Sequence, residues 1–233
     1  MEVNRRSYKT REDLELIVGQ KMKGVFLWMV IGILFTVGTA YYTLTTPAVL
    51  NFVYKAMMPI VIGELALVFI LSMRVYKMDV NKSRLMFLLY SVLTGMTLSV
   101  LAIVYTGMSI LYAFGGTTVI FVIMAVYGYA TNEDLTKFGG ILRMGLVTLI
   151  VLSLINLFLK IPFLYLMIPY LGVLVFIGLI GYDVNRIKHN IVNTALMEDE
   201  SVIEKVSIIG ALALYLDFIN LFLYILRIFG KKR

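Results

Sequence analysis

Asp217 lies near the middle of an otherwise apolar stretch that runs from Ile208 to Phe229. That stretch is long enough to cross a bilayer, so the carboxyl is carried into hydrocarbon. A carboxylate at such depth is costly unless it is paired, hydrated or protonated, which marks Asp217 as a functional-site candidate. A second carboxylate, Asp183, ends the preceding apolar stretch. Two carboxylates within hydrogen-bonding range in low dielectric do not readily ionise together, and the stable arrangement shares one proton between them. Such a pair can change its charge near neutral pH without a histidine. Asp183 and Asp217 with Asn220 and water would make only a weak, partly hydrated station for a divalent cation. A site the ion can leave suits passage better than storage.

Other polar residues surround these two. Asp217, Asn220, Tyr224 and Arg227 follow one another at steps of three, four and three residues, which places them along one face of a helix. The intervening positions are apolar, so this helix belongs at the centre of a bundle with its polar stripe turned from lipid. Asp183 is followed by Asn185, Arg186 and Lys188, and an ordinary interfacial pairing with Arg186 is one reading of it. Glu64 sits inside an earlier apolar stretch that ends at Arg74. Arg74 falls on the same side of the membrane as Asp183, so an Arg74–Asp183 ion pair is topologically allowed; Arg74 is equally placed to be a positive-inside anchor. Depth is less favourable to an Asp183–Asp217 pair. Asp217 lies about 13 Å of helix beyond Ile208, while Asp183 is nearer the interface. The pair requires the last helix to begin outside the hydrocarbon, or the sixth to continue beyond it.

The elements that must position these residues are legible from composition. Of 233 residues, 61% are hydrophobic and 15% charged, against 45–50% and about 25% in soluble domains. Seven apolar runs of roughly 20 residues lie near 24–45, 54–73, 85–106, 109–130, 141–159, 163–183 and 206–229. Short connectors join them, so the expectation is an all-α integral membrane protein, a single seven-helix domain over 1–233. Its bundle covers 24–229, behind an interfacial N-terminal segment, 1–23. Long runs without alternation exclude a β-barrel. Residues 11–22 read as an extra helix at the headgroups, with Thr10 as its cap and Leu14, Ile17 and Val18 on one face. The polar segment ahead of the first run does not resemble a cleavable signal peptide.

Gly115 and Gly116, with Thr117 and Thr118, suggest close helix approach and interhelical hydrogen bonds. Pro169 should loosen the sixth span. With the N-terminus inside, one side holds fifteen of the 21 lysines and arginines. The other holds Lys55, Lys160, Arg227, Lys231, Lys232 and Arg233. The N-terminus is therefore expected in the cytoplasm. The Lys231–Arg233 cluster then violates the rule, unless the last segment re-enters and returns; seven full crossings remain the expectation.

Other functions fit less well. The basic residues flank apolar runs, as expected for contact with headgroups and not with nucleic acid. There is no cysteine, and the single histidine, His189, cannot build a metal centre alone. The last span has no lysine for a retinal-type Schiff base. No protease-like Gly-x-Ser-Gly or Gly-x-Gly-Asp element occurs, so no enzyme activity and no cofactor are expected. A proton-coupled secondary transporter would use the same aspartates and is the main alternative to a channel. A regulatory membrane protein that transports nothing is the other.

Three segments sharpen this. Gly181-Tyr182-Asp183-Val184-Asn185-Arg186-Ile187-Lys188-His189 resembles the Y-D-x-x-x-I-K-H element of the Bax-inhibitor family. Leu214-Tyr215-Leu216-Asp217-Phe218-Ile219-Asn220-Leu221-Phe222 is similar to that family's final-helix signature, and Ala113–Phe121 to its fourth-helix element. The resemblance spans nearly the whole chain and is nearest to the bacterial branch. It implies seven helices with the last one central, in a bacterial inner membrane. It also implies a pH-sensitive Ca²⁺ leak, with suppression of cell death in eukaryotic members. By resemblance, Asp183 and Asp217 are the hydrogen-bonded pair that senses pH. Arg74 is the best match to an arginine that latches onto the first aspartate, and Glu64 approximates a second-helix glutamate of the family. Ca²⁺, protons and the lipid bilayer are the expected partners. The segment joining the two aspartates carries Glu198, Asp199 and Glu200.

Overall fold

The computed structural model describes residues 11–196 and 200–233, and among them the structure is helical. Thr10, expected as a cap, and Glu198 and Asp199 of the acidic linker lie outside the described residues. The helices are α1 (Arg11–Thr45), α2 (Pro47–Lys55), α3 (Met57–Arg74), α4 (Val80–Ser99), α5 (Leu101–Val104), α6 (Gly107–Ala130), α7 (Gly139–Leu159), α8 (Pro162–Leu196) and α9 (Glu200–Phe229). Single 3₁₀ turns at Val75–Lys77 and Leu135–Phe138 lead into α4 and α7. Seven helical stretches are long and apolar enough to span a bilayer; α4 and α5 together make one of them, and α2 is a short connector.

Local chemistry sets the boundaries. Pro47 opens α2 at a position where its missing N–H costs nothing. The Asp79 carboxylate accepts from Asn81 N (2.8 Å) at the start of α4, and Thr106 Oγ1 accepts from Ser109 N at the start of α6. Lys160 ends α7 in the left-handed region (φ 51°), and α8 starts two residues later at Pro162.

α9 occupies the middle of the bundle. In its apolar window 72% is buried, against at most 33% in any other span. Its apolar side chains point all round, as a helix surrounded by helices requires. Tyr215, fully buried, meets Phe87 and Tyr90 of α4 edge-on, with ring centroids 5.5 and 5.8 Å apart. Phe218 packs in the same way on Phe114 and Phe121 of α6. α3 lies on the outside against α4, with only 11% of its window buried.

Three features depart from the sequence reading. Residues 11–22 are not a separate surface helix, because α1 runs unbroken from Arg11 to Thr45. Val18, Met22, Val25 and Met29 are all buried along it, and that continuous stripe holds it straight onto the core. The sixth span does not end at Asp183 but continues to Leu196, with Pro169 accommodated inside it. Gly115 and Gly116 do not mediate close helix contact, since a Cβ at either would meet nothing within 4 Å. Thr117 and Thr118 bond back to Ala113 O and Phe114 O of their own helix. The close crossing of α6 lies lower down, where a Cβ on Gly128 would stand 2.3 Å from Gly181 O of α8.

α9 has no re-entrant break. The residues after it pair with the α5–α6 turn, where Thr106 N donates to Lys231 O (3.0 Å) and Arg233 N to Val104 O (3.0 Å). The C-terminal segment therefore shares a face with that turn, opposite the turn between α8 and α9.

Candidate functional site: an acid pair between α8 and α9

One antiparallel register brings the two aspartates level. Phe176 lies seven residues before Asp183, and Tyr224 lies seven after Asp217. These two rings pack at 5.8 Å. The contact is close because Gly172 has no side chain, and a Cβ there would stand 2.5 Å from the Tyr224 ring. Around Asp183, α8 is covered on every side, with Ile180, Val184 and Ile187 at 2% exposure or less. The carboxyls of Asp183 and Asp217 face each other at this level, both buried. Two carboxyl groups can bond to each other only when one of them carries a proton to donate.

Arg186, one turn along the same helix, places Nη2 2.9 Å from Asp183 Oδ1. That oxygen nevertheless lacks a well-directed hydrogen bond, because the guanidinium N–H lies out of line. The interaction is charge pairing, and Arg186 also rests over the Tyr182 ring at 5.3 Å. Asp217 Oδ2 is buried and accepts no hydrogen bond among the described residues.

The polar stripe of α9 continues from this pair toward the far face. Asn220 donates to Leu216 O (2.8 Å). With Tyr224 it lines a cleft of ≈ 460 Å³ that also borders Ser153 and Leu149 of α7. Arg227 stacks over Tyr165 at 5.8 Å. The ten residues from Asp217 to Arg227 span about 15 Å of helix, about half a typical hydrocarbon thickness.

Two predicted residues are not brought here. Arg74 is exposed and forms no ion pair among the described residues. Its helix packs chiefly on α4, and the cation beside Asp183 is Arg186, not Arg74. Glu64 is half-buried and accepts from Thr97 Oγ1 of α4. It lies near Tyr90 and Tyr215 in a separate hydroxyl cluster, where the Tyr215 hydroxyl meets Thr36 Oγ1 at 2.6 Å. Among the described residues no three His, Cys, Asp or Glu side chains converge as a metal site. Two carboxylates supply at most four oxygens, so a Ca²⁺ ion passing here would keep part of its water.

Asn185 and Lys188 are what the sequence reading missed. Asn185 is fully buried; its Oδ1 accepts from Leu135 N (3.1 Å), and its Nδ2 donates to Gly128 O (3.2 Å) and Glu133 O (3.3 Å). Lys188 Nζ donates to Tyr129 O (2.8 Å). Together they satisfy the orphan carbonyls at the C-terminal end of α6 and tie the 131–138 connector to α8. The signal was present in the apolar spacing of Ile180, Val184, Ile187, Ile191 and Ala195, which continues the helix past Asp183.

Comparison with known proteins agrees with this architecture. Residues 18–233 match the family model described as inhibitor of apoptosis-promoting Bax1. The inner membrane protein YbhL of Escherichia coli is 42% identical over 215 residues, 91% of this chain and 92% of its own. A protein of Borreliella burgdorferi is 39% identical, covering 96% of this chain and 97% of that one. One of Rickettsia prowazekii is 36% identical, covering 91% and 89%. With its seven apolar helices and a match that reaches from α1 to the last residue, this chain is an integral membrane protein that belongs to the Bax-inhibitor family.

Proposed function

We propose that the chain is a pH-gated leak for Ca²⁺ in a bacterial inner membrane, with the Asp183–Asp217 pair as its gate. The observation that carries this reading is the approach of two buried acids from different helices at one level of the bundle. The membrane is inferred from the relative named an inner membrane protein. The reading assigns no catalytic step and no resident cofactor to the chain; Ca²⁺ is its cargo.

With one proton between them and Arg186 alongside, the two acids and the guanidinium sum to no net charge. The shared proton then bridges α8 to α9. Loss of that proton removes the bridge, leaves two carboxylates facing each other, and gives the site one net negative charge. Repulsion loosens the contact between the helices, and a cation becomes the favourable occupant. Asn220, Tyr224 and Ser153 extend the polar path from there toward the far face.

The test is Ca²⁺ flux into liposomes holding only this protein, followed from about pH 5 to about pH 8. Flux should rise with pH in the wild type and become independent of pH in Asp217→Asn. An unchanged pH–flux curve in that variant rejects the gate. Uphill Ca²⁺ movement driven by an imposed proton gradient would make the chain a proton-coupled transporter. Protein that passes no ion at any pH would favour a regulatory role instead.

A further inference from the structure

The groove between α6 and α8 on the C-terminal side is not used by the acid pair. It measures ≈ 520 Å³ and is floored by Ala113 and Gly116 of α6, Val173 of α8, and Ile225 and Phe229 of α9. Gly116 borders open space, since a Cβ there would meet nothing within 4 Å. Helix packing therefore does not require this glycine; its absent side chain keeps the groove open. From Ser109 at the mouth to Ile120 at the bottom, the groove follows about 16 Å of helix. That is about the hydrocarbon depth of one leaflet.

A fixed cationic tail stands at the mouth. Lys231 N donates to Ser109 Oγ (2.9 Å), a groove-lining atom. The backbone at Lys231 and Arg233 is pinned to Thr106 and Val104. The side chains of Lys231, Lys232 and Arg233 are exposed, and none forms an ion pair among the described residues. Three lysines and arginines on this face also run against the charge bias of the loops, so orientation does not account for them.

We infer that this groove and tail form a binding site for one anionic phospholipid, with an acyl chain over Gly116 and the headgroup phosphate against Lys231, Lys232 and Arg233. An apolar slot one leaflet deep excludes a soluble anion from its floor. Fixed cations at headgroup height favour phosphatidylglycerol over a zwitterionic lipid. The tail's backbone is held by hydrogen bonds, so only its side chains need ordering when the lipid binds.

The test uses the full chain purified in detergent. Bound lipid is counted by native mass spectrometry, and affinity is read from the shift of the thermal midpoint on titration with phosphatidylglycerol or phosphatidylcholine. One phosphatidylglycerol should be retained, with a preference of about tenfold or more over phosphatidylcholine. Combined Lys231→Gln, Lys232→Gln and Arg233→Gln should abolish the preference and keep weak binding of both lipids. Gly116→Leu should lose the retained lipid while its midpoint in lipid-free detergent stays that of the wild type. Equal binding of the two lipids by the wild type overturns the proposal, as does a preference that survives in the triple variant. Glycerol phosphate stabilising as well as the whole lipid would also overturn it, because the groove would then play no part. The triple variant alters only exposed side chains, so the charge arm of the test does not depend on how the groove variant folds.

Discussion

Replacing Asn185 with alanine should free the connector between α6 and α7 without unfolding the bundle. The side chain makes three hydrogen bonds, and each deletion leaves a group behind. Leu135 N and Gly128 O are in buried bonds, while Glu133 O is partly open to water. An unsatisfied buried group costs about 1–3 kcal/mol, and Glu133 O can replace its partner with water at little cost. Two stranded groups with partial relaxation give a local loss of about 2–4 kcal/mol. At 1.4 kcal/mol per tenfold, this corresponds to exchange about 30- to 1,000-fold faster at the Leu135 amide, provided exchange there proceeds by local opening. Hydrogen exchange read by mass spectrometry on residues 131–138, with the protein in lipid nanodiscs, measures it directly. Thr194→Ala is the control on the same helix, since its exposed hydroxyl bonds only Asn190 O. Exchange at Leu135 that stays at the wild-type rate in Asn185→Ala would refute the claim that α8 holds this connector.

Gly128→Ala should lower the thermal midpoint, because the new Cβ would fall 2.3 Å from Gly181 O and force α6 off α8. Overpacking of this kind costs about 1–3 kcal/mol. Gly115→Ala, where nothing lies within 4 Å, should be neutral or slightly stabilising by helix propensity; equal effects of the two would contradict the crossing described. In the exposed connector, the hydroxyl and then the backbone N–H of Thr136 hold the Asp134 carboxyl below its usual range. The ordering this gives is present above the ordinary carboxylate value and is lost as pH falls through the lowered one, below about pH 4. Thr136→Val removes only the hydroxyl bond, so NMR titration of Asp134 should move part of the way back toward the usual value, and no movement would dismiss the hydroxyl's part in it.

Much of the architecture was legible because the bilayer restricts what a chain can do. Apolar length gave the spans, and the polar stripe within α9 gave its central position, because an isolated Asp217 has no place facing lipid. What escaped was decided outside the hydrocarbon, where apolar length carries no signal. Hydropathy ends at Asp183, yet Ile187, Ile191 and Ala195 keep α8 helical to Leu196 through contacts with neighbouring helices. The same holds for α1, whose polar face at Arg11–Lys21 hides a buried stripe through Val18 and Met22. Arg74 is placed near Asp183 by topology and by resemblance, and topology fixes the side of the membrane but not which helices touch. Gly115 and Gly116 looked like a packing motif because glycine pairs often are one; only the neighbouring atoms tell a crossing from a groove.

The extra length of α8 and α9 is what makes the acid pair possible. Asp183 lies thirteen residues before Leu196 and Asp217 seventeen after Glu200, so both helices must run about 20–26 Å from their shared turn before the acids meet. Had either helix stopped where its apolar run stops, Asp183 would sit at the interface and Asp217 alone in the core. The same geometry limits what Arg186 can do. It is three residues from Asp183 on the same helix, so it travels with that carboxyl, and its charge also reaches Asp217 of α9. A cation from a third helix could act as a clasp between elements, whereas a cation one turn from Asp183 mainly sets the charge at the pair. In the proposed gate, the bond between the carboxyls is therefore the link between α8 and α9 that one proton makes or breaks.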